Sequence, residues 1–353
     1  MIILAIETSC DETAVSVLKD EDVILADKLS SQIDLHKKYG GVVPELACRR
    51  HIEVIGPLVQ EAMETARIRL DQVDAIAVTV GPGLIGALLV GLSYAKSLAY
   101  ALNIPLLPVN HLEGHISAVF IEYKEIEFPA IALVVSGGHT NLYFVSKKGN
   151  YRLLGRTIDD AAGEALDKGA RMLGFGYPGG PIIDQLAKNG DSEKYAFSIP
   201  YRSKEHVNFS FSGLKTALRR TLAKVPQEIR ESASFREDIA AGYQVAVVES
   251  LVEKTFIALE NEKAKGIILS GGVSANSFLR SRMKEEGMRT GTASYIPSPR
   301  YCTDNGAMIA MAGLLEYERG NFAFLDLNAN PNLGHSGRLQ KIIERDQKQR
   351  NLL

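Results

Sequence analysis

The chain is short of cysteine, of surplus charge and of uninterrupted apolar runs. Its 353 residues hold three cysteines, Cys10, Cys48 and Cys302. They lie far apart, form no CxxC pair and give no even disulfide framework, so a reducing compartment is expected, with the protein in the cytoplasm. A formal net charge of −2 argues against a basic field over the whole surface, although not against a local basic patch for nucleic acid. The N-terminus, "MIILAIETSCDET", lacks a charged leading region, and its apolar run is too short for a signal peptide or a membrane span. The longest apolar stretch, "IGALLVGLSYAKSLAYAL", is broken by Ser93, Lys96, Ser97 and two tyrosines. That pattern predicts a buried core helix and no membrane association. Neither the Walker A pattern nor the dinucleotide fingerprint occurs.

What is present suffices for two cores. The length exceeds one compact core, and the 46% hydrophobic content supplies the apolar material. "IILAIE", "TSCDET" and "AVSVLK" read as strand, polar turn and half-buried alternating strand. "ELACRRHIEVIGPLVQEAMETA" reads as an amphipathic helix. "DAIAVTV" is a short buried strand ending in "GPGLIG", with the apolar helix following from about Leu84. "PLLPVN" is a strand, and "HLEGHISAVFIE" continues as a helix. At Phe128–Pro129 the pattern restarts: "AIALVVSGGHTNLYFVS" is again strand, Gly-rich turn, strand. The likeness implies two related halves. Helices are expected at "AAGEALDKGARMLG", "PIIDQLAKNG" and "REDIAAGYQVAVVESLVEKTFIALENE". The strand "GIILS" then ends in "GGVSANSFLRSRM", and a last helix starts at Thr303 or Asp304. The α/β domains assigned on this basis are residues 1–125, completed by a C-terminal helix at 303–325, and residues 126–302. A basic insert occupies 201–220 and a peripheral tail 326–353.

Three Gly-rich turns directly follow apolar strands: "GPGLIG", "VSGGHT" and "LSGGVSAN". Glycine lets backbone N–H groups approach an anion, and a helix N-terminus adds positive potential. One such turn is ordinary; three together point to phosphate or nucleotide binding. Asp11 and Glu12 sit in the turn after the first strand. A solvated turn competes there with a carboxylate that handles a cation or a proton.

His111 and His115, at i and i+4 of a helix, lie about 40° apart on one face, a spacing that suits a transition metal. Glu113 lies about 200° from His111 on the same wheel. In the HExxH protease motif the glutamate immediately follows the first histidine and shares the site. Glu113 points away, which counts against a metalloprotease. Asp304 is the best further ligand, though spacing alone favours a helix cap. His139 on its glycine turn could face the same site. Asp167 and Asp184 flank a Gly-Gly pair and suit ribose hydroxyls or an ammonium group; helix surface charge is the alternative. The insert mixes cations with Tyr201, Phe209 and Phe211. This suits an RNA backbone and unstacked bases, or else a flap packed by its aromatics.

In their order along the chain, "ETSCDET", "YGGVVPELACRRH", "GPGLIGALLVG", "NHLEGH", "LVVSGGHT", "DDAAGEALDK", "YPGGP", "FSFSGLKT", "LSGGVSAN" and "YCTDNGAMIA" together resemble the TsaD/Gcp/Kae family, bacterial members most. The resemblance runs from about Ile3 to Gly313. It implies two related actin/hexokinase/Hsp70-like (ASKHA) domains with a nucleotide cleft between them. It also implies a tRNA N6-adenosine threonylcarbamoyltransferase acting at adenosine 37 of tRNAs that read ANN codons, with threonylcarbamoyl-AMP as donor and possibly ATP or ADP in the same cleft. A small-molecule kinase of the same fold and a metalloendopeptidase are the alternatives. By resemblance, one divalent metal ion, iron or zinc, falls on His111, His115 and Asp304. Substrate-binding positions fall on Val135, Ser136, Gly137, Gly138, His139, Asp167, Gly180, Asp184 and Asn276. Asp11, Glu12 and His139 are the acid/base candidates. The implied partners are tRNA, an inactive ASKHA paralogue (TsaB-like) through the N-terminal domain, a P-loop ATPase (TsaE-like) and a Sua5/YrdC-type synthase that supplies the donor.

Overall fold

The computed structural model describes residues 1–202 and 205–334. The chain forms two compact units. One comprises residues 1–124, 148–151 and those from 304 onward; the other comprises 125–147 and 152–303. The first unit begins with β1 (Ile2–Glu7), β2 (Glu12–Lys19), β3 (Val23–Ser31), α1 (Ile33–Lys37) and α2 (Pro44–Ala66). It continues with β4 (Ala75–Gly81), α3 (Ile85–Leu102), β5 (Leu106–Asn110), α4 (His111–Ser117) and α5 (Val119–Glu122). The second unit holds β6 (Ala130–Val135), β7 (Thr140–Lys147), most of β8 (Asn150–Arg156), α6 (Ala162–Met172), α7 (Gly179–Ala187) and α8 (Ser212–Ala223). It ends with α9 (Gln227–Arg230), α10 (Ala233–Asn261), β9 (Gly266–Ser270), α11 (Ser277–Thr290) and β10 (Ala293–Tyr295), after which α12 (Gly306–Glu318) belongs to the first unit.

The two sheets repeat one design. The first has the order β3-β2-β1-β4-β5 and the second β10-β9-β6-β7-β8. In the first, β2 is antiparallel to β1 and β3, while β1, β4 and β5 run parallel. In the second, β7 is antiparallel to β6, while β6, β9 and β10 run parallel. The restart after Phe128 is therefore a repeat of topology. Strands β1, β4, β6 and β9 are almost entirely buried, as continuous apolar runs covered on both faces should be. The edge strands β3, β8 and β10 give no clear sequence signal; their mixed polar patterns reflect partial exposure.

Strand β2 departs from its half-buried expectation, since residues Thr13 to Leu18 are all buried. Helices α2 and α12 both pack on it. The polar alternates find internal partners instead of water, Ser16 Oγ donating to the Ala26 carbonyl at 2.8 Å. Helix α3 is long and apolar enough to cross a membrane by length and composition. Here it packs on β4 and α2, burying Ala87, Leu88, Gly91, Leu92, Ala95 and Ala99.

The last helix starts at Gly306, with Asn305 as its cap accepting from Met308 N at 2.8 Å, and not at Thr303 or Asp304. Gly306 is required there. A Cβ would stand 2.6 Å from Ser16 N and Val15 C of β2, too close for any side chain. The cap is thus Asn305, and Asp304 stands just ahead of a helix pressed onto the sheet. Beyond α12, Leu327 and Leu333 are buried in the first unit's core. The rest of the predicted tail, 335–353, lies outside the described residues, as do 203–204 of the insert. Within the insert, Phe209 and Phe211 are fully buried in the second unit's core. They pack the segment down and are unavailable to stack on bases, which corrects that part of the RNA reading.

Candidate metal centre and substrate-binding ring

Strand β5 ends at Asn110, whose side chain caps α4 by accepting from Leu112 N at 2.9 Å. The cap starts the helix at His111, so His111 and His115 stand on successive turns of one face. Their ring centroids are 4.7 Å apart. Asp304 completes the set: its Oδ1 lies 3.6 Å from His111 Nε2 and 3.1 Å from His115 Nε2. One ligand atom from each residue falls within 4.8 Å of the others.

Two observations test whether this set suits a metal. Both ring nitrogens of fully buried His115 lack a hydrogen bond of acceptable geometry, despite the nearness of Asp304. A buried imidazole so placed is costly unless its lone pair is used otherwise. Secondly, His111 Nδ1 is engaged on its far side by Glu7 Oε2 at 3.3 Å and Ser9 Oγ at 3.1 Å. A carboxylate behind a ligating imidazole fixes the tautomer and leaves Nε2 free to coordinate. The triad therefore fits a metal ion with N/O ligation.

The electrostatics agree. Burial alone would lower the His111 pKa, but the carboxylates of Asp304 and Glu7 outweigh it and hold it at about 9. For Glu7, burial pulls upward and the charge of His111 wins, leaving it below its ordinary value. Two carboxylates against two imidazoles make a site for positive charge. Glu7 itself, at the buried end of β1, is a residue the sequence reading missed. Its signal was a carboxylate at the end of an apolar strand. It accepts from Ser9 N at 2.5 Å and from the Thr79 hydroxyl. Glu7→Gln keeps the size and removes the charge, so metal affinity is expected to fall about 10- to 100-fold with the fold intact. Competition with a metal-sensitive dye reads this directly.

Glu113 is not in the ligand set. Its charge acts on Tyr151, whose pKa is raised first by burial and then by Glu113. Asp11 and Glu12 belong to the same unit as the triad. Burial, then the charges of Asp304 and Asp11, lift Glu12 to about 9. Cys10, beside them, is pushed far up by burial and by Asp11, so it stays a thiol and supplies no nucleophile. The turn is clamped by His51 of α2, also unforeseen. Its Nε2 lies 2.9 Å from the Cys10 carbonyl and its Nδ1 2.7 Å from Thr13 Oγ1. Burial lowers the His51 pKa, so a neutral ring donates to the carbonyl and accepts from the hydroxyl.

The second unit gathers the remaining candidates into one ring at the C-terminal ends of β6 and β9. Val135 ends β6, and Ser136 to His139 form a tight turn in which Ser136 N donates to the His139 carbonyl at 2.8 Å. Gly163 opens α6 against that turn; a Cβ there would lie 2.6 Å from Ser136 O. One turn along α6, Asp167 Oδ1 accepts from Gly179 N at 2.7 Å and Gly180 N at 3.1 Å. On α7, Asp184 accepts from Ser277 N at 3.1 Å and Ser277 Oγ at 2.9 Å. Asn276 caps α11 through Leu279 N at 2.9 Å and donates to Gln244 Oε1 at 2.8 Å. Gly271, at φ +89° and without room for a Cβ beside the Val135 carbonyl, closes the circle. Asp167 and Asp184 are thus neither idle surface charges nor uncommitted ligand groups: each ties one glycine-rich or helix-opening backbone to the next. Burial raises the Asp167 pKa against those two N–H bonds. His139 belongs to this ring, whereas Asp11 and Glu12 belong with the triad.

Comparisons with known proteins follow the same lines. A crystal structure of Acidaminococcus fermentans (R)-2-hydroxyglutaryl-CoA dehydratase component A resembles the chain with a TM-score of 0.55 at 17% identity, covering 91% of this chain and 99% of that one. Full-length HypF, in its phosphate- and nucleotide-bound form, gives 0.60 at 14% identity over 90% of this chain and 46% of that one. These show the fold alone, the two-unit α/β architecture of the ASKHA class. In sequence, the tRNA N6-adenosine threonylcarbamoyltransferase of Carboxydothermus hydrogenoformans is 53% identical over 94% of this chain and 97% of its own length. Those of Clostridium perfringens strain SM101 and Thermosipho africanus are 51% and 50% identical over 94% of this chain, covering 97% and 99% of their own lengths. A model of the family described as "TsaD: tRNA N6-adenosine threonylcarbamoyltransferase" matches residues 23–311. With that match and relatives half identical across nearly its whole length, the chain belongs to the TsaD family of tRNA N6-adenosine threonylcarbamoyltransferases.

Proposed function

We propose that the protein transfers the threonylcarbamoyl group of threonylcarbamoyl-AMP to N6 of adenosine 37 in tRNAs that read codons beginning with A. The observation that carries the reading is the His111–His115–Asp304 set, backed by Glu7 and sharing its field with Glu12, in a chain of this family. The residue ring from Val135 to Asn276 is the adenylate-binding part of this proposal: exposed Gly137 and Gly138 offer backbone N–H groups to an anion.

The chemistry is an acyl transfer. The N6 lone pair attacks the carbamoyl carbon, a new C–N bond forms, the bond from that carbon to the phosphate oxygen breaks, and AMP leaves with the electron pair. The N6 proton goes to Asp11, Glu12 or His139. An adenine amine is a weak nucleophile, so orientation and stabilisation of developing negative charge matter more than its activation. A divalent ion, iron or zinc, held by His111, His115 and Asp304 would supply Lewis acidity and charge neutralisation. Glu12, with its pKa near 9, is a strong proton holder beside the triad. The target base must also leave its stack to be reached.

The function would be exercised in the cytoplasm, with a donor-making synthase, an inactive paralogue docked on the N-terminal domain and a P-loop ATPase as partners. A small-molecule kinase of this fold gives no role to the triad, and a metallopeptidase needs a glutamate that Glu113 does not provide. Incubation with undermodified tRNA, threonine, bicarbonate, ATP, the synthase and accessory proteins should yield threonylcarbamoyl-adenosine on nucleoside analysis. Its absence under every accessory set, with phosphorylated sugar or cleaved peptide in its place, overturns the reading.

A further inference from the structure

We propose that the solvent face of α8 is the surface on which this protein holds the phosphate backbone of its RNA substrate. The inference rests on the tRNA reading above and gives it a place on the molecule. Between Ser212 and Gln227 there are four cations, Lys215, Arg219, Arg220 and Lys224, and no carboxylate. At about 100° per residue, the first three fall within about 140° of arc. All four are exposed, while Leu214 and Leu218 on the opposite side are buried.

Several cations on other exposed helix faces are paired with an acid one turn away. Arg49 meets Glu45 and Arg50 meets Glu53 on α2, Lys168 meets Glu164 on α6, and on α11 Arg282 meets Glu285 and Arg289 meets Glu286. Among the described residues, none of the four α8 cations has an ion pair. This helix omits the i±3 and i±4 acids that the others use. Arg220 and Lys224 near the C-terminus suit the helix dipole, but Lys215 near the N-terminus opposes it, so helix stability does not account for the set. In a chain of net charge −2, an unneutralised stripe of this kind has its use outside the fold.

The stripe is also held rigidly. Asp159 accepts from Phe211 N at 2.7 Å, Ser212 N at 3.3 Å and Ser212 Oγ at 2.8 Å, closing the helix N-terminus. Buried Phe209 and Phe211 pin the approach. From Lys215 to Lys224 the helix rises about 13 Å, a length over which a nucleic-acid strand presents several phosphates. The aromatics lie inside and the charges outside, so the contact is electrostatic and independent of base sequence.

The test uses the full chain with whatever accessory proteins the transfer assay requires. Lys215→Ala, Arg219→Ala, Arg220→Ala and Lys224→Ala are combined, and unmodified tRNA binding is measured by filter retention across salt. Each lost phosphate contact should reduce the log–log salt slope by about one. Between 50 and 200 mM salt the natural protein should therefore lose on the order of 200-fold more affinity than the variant. In turnover, KM for tRNA rises while kcat at saturating tRNA and the metal content stay the same. A companion variant exchanging the cations, Lys215→Arg, Arg219→Lys, Arg220→Lys and Lys224→Arg, retains binding and separates charge from folding. An alanine variant with natural tRNA affinity and salt slope overturns the proposal, even if it has lost a protein partner. Absence of transfer by the natural protein would instead sink the functional reading on which it rests.

Discussion

His115→Ala is expected to lower metal affinity by at least about 100-fold, because even the loss of a partner behind a ligand costs 10- to 100-fold. Asp304→Ala should do the same. Elemental analysis of the purified protein after dialysis against a weak chelator reads the result, and threonylcarbamoyl transfer should fall with the metal. The two variants differ in what they leave behind. His115 is fully buried with its Nε2 turned toward Asp304, so its removal opens a small cavity at the α4–α12 packing. Asp304 stands ahead of a helix whose cap is Asn305; its loss takes away a charge without uncapping α12. Asp304→Ala should therefore match the natural thermal midpoint more closely than His115→Ala. Natural metal content in Asp304→Ala would remove it from the ligand set and return it to a structural role.

Glu12→Gln is expected to lower kcat by about 10²- to 10⁴-fold, the range for loss of a positioned acid or base, with metal content and tRNA KM unchanged. The pH profile gives a second readout. A proton acceptor works only when unprotonated, so activity carried by Glu12 rises with pH up to its pKa of about 9. The Gln variant should lose that rise. Its persistence at full size in Glu12→Gln would move the acceptor to Asp11 or His139. His51 offers a control: its hydrogen bonds to the turn go to Cys10 and Thr13, so its effects should appear through the geometry of that turn and leave the metal in place.

The two cases show why some of the site could be read from residues and some could not. The His111–His115 pair is local. Helix periodicity sets its angle, and the same wheel sets Glu113 aside; both follow from backbone geometry that any seven-residue helix imposes. Asp304 is almost two hundred positions away. Spacing left it between ligand and cap, since both roles use a carboxylate before a helix. In the structure Gly306, whose missing side chain lets α12 settle on β2, sets the start of the helix two residues beyond Asp304 and gives the cap to Asn305. Glu7 and His51 carried almost no local signal. A glutamate at the end of an apolar strand and a histidine in an amphipathic helix have ordinary explanations until the strand order brings them beside His111 and Cys10.

The insert shows the same division. Composition placed cations and aromatics together but could not tell which faced water. Packing decided it: the phenylalanines fill the core of the second unit, and the cations line the outer face of α8. By itself the sequence determined the strand–turn–strand restart, the nature of the central strands, the histidine pair and the motif order that marks the family. These depend on neighbours a few residues apart, or on a pattern that survives along the chain. Only the tertiary structure decided that Asn305 and not Asp304 caps α12, that a carboxylate stands behind His111, that the acidic turn is clamped and that a ring joins Val135 to Asn276. Each of these is a meeting of residues distant in sequence, and burial and strand order arrange such meetings without leaving a period to read.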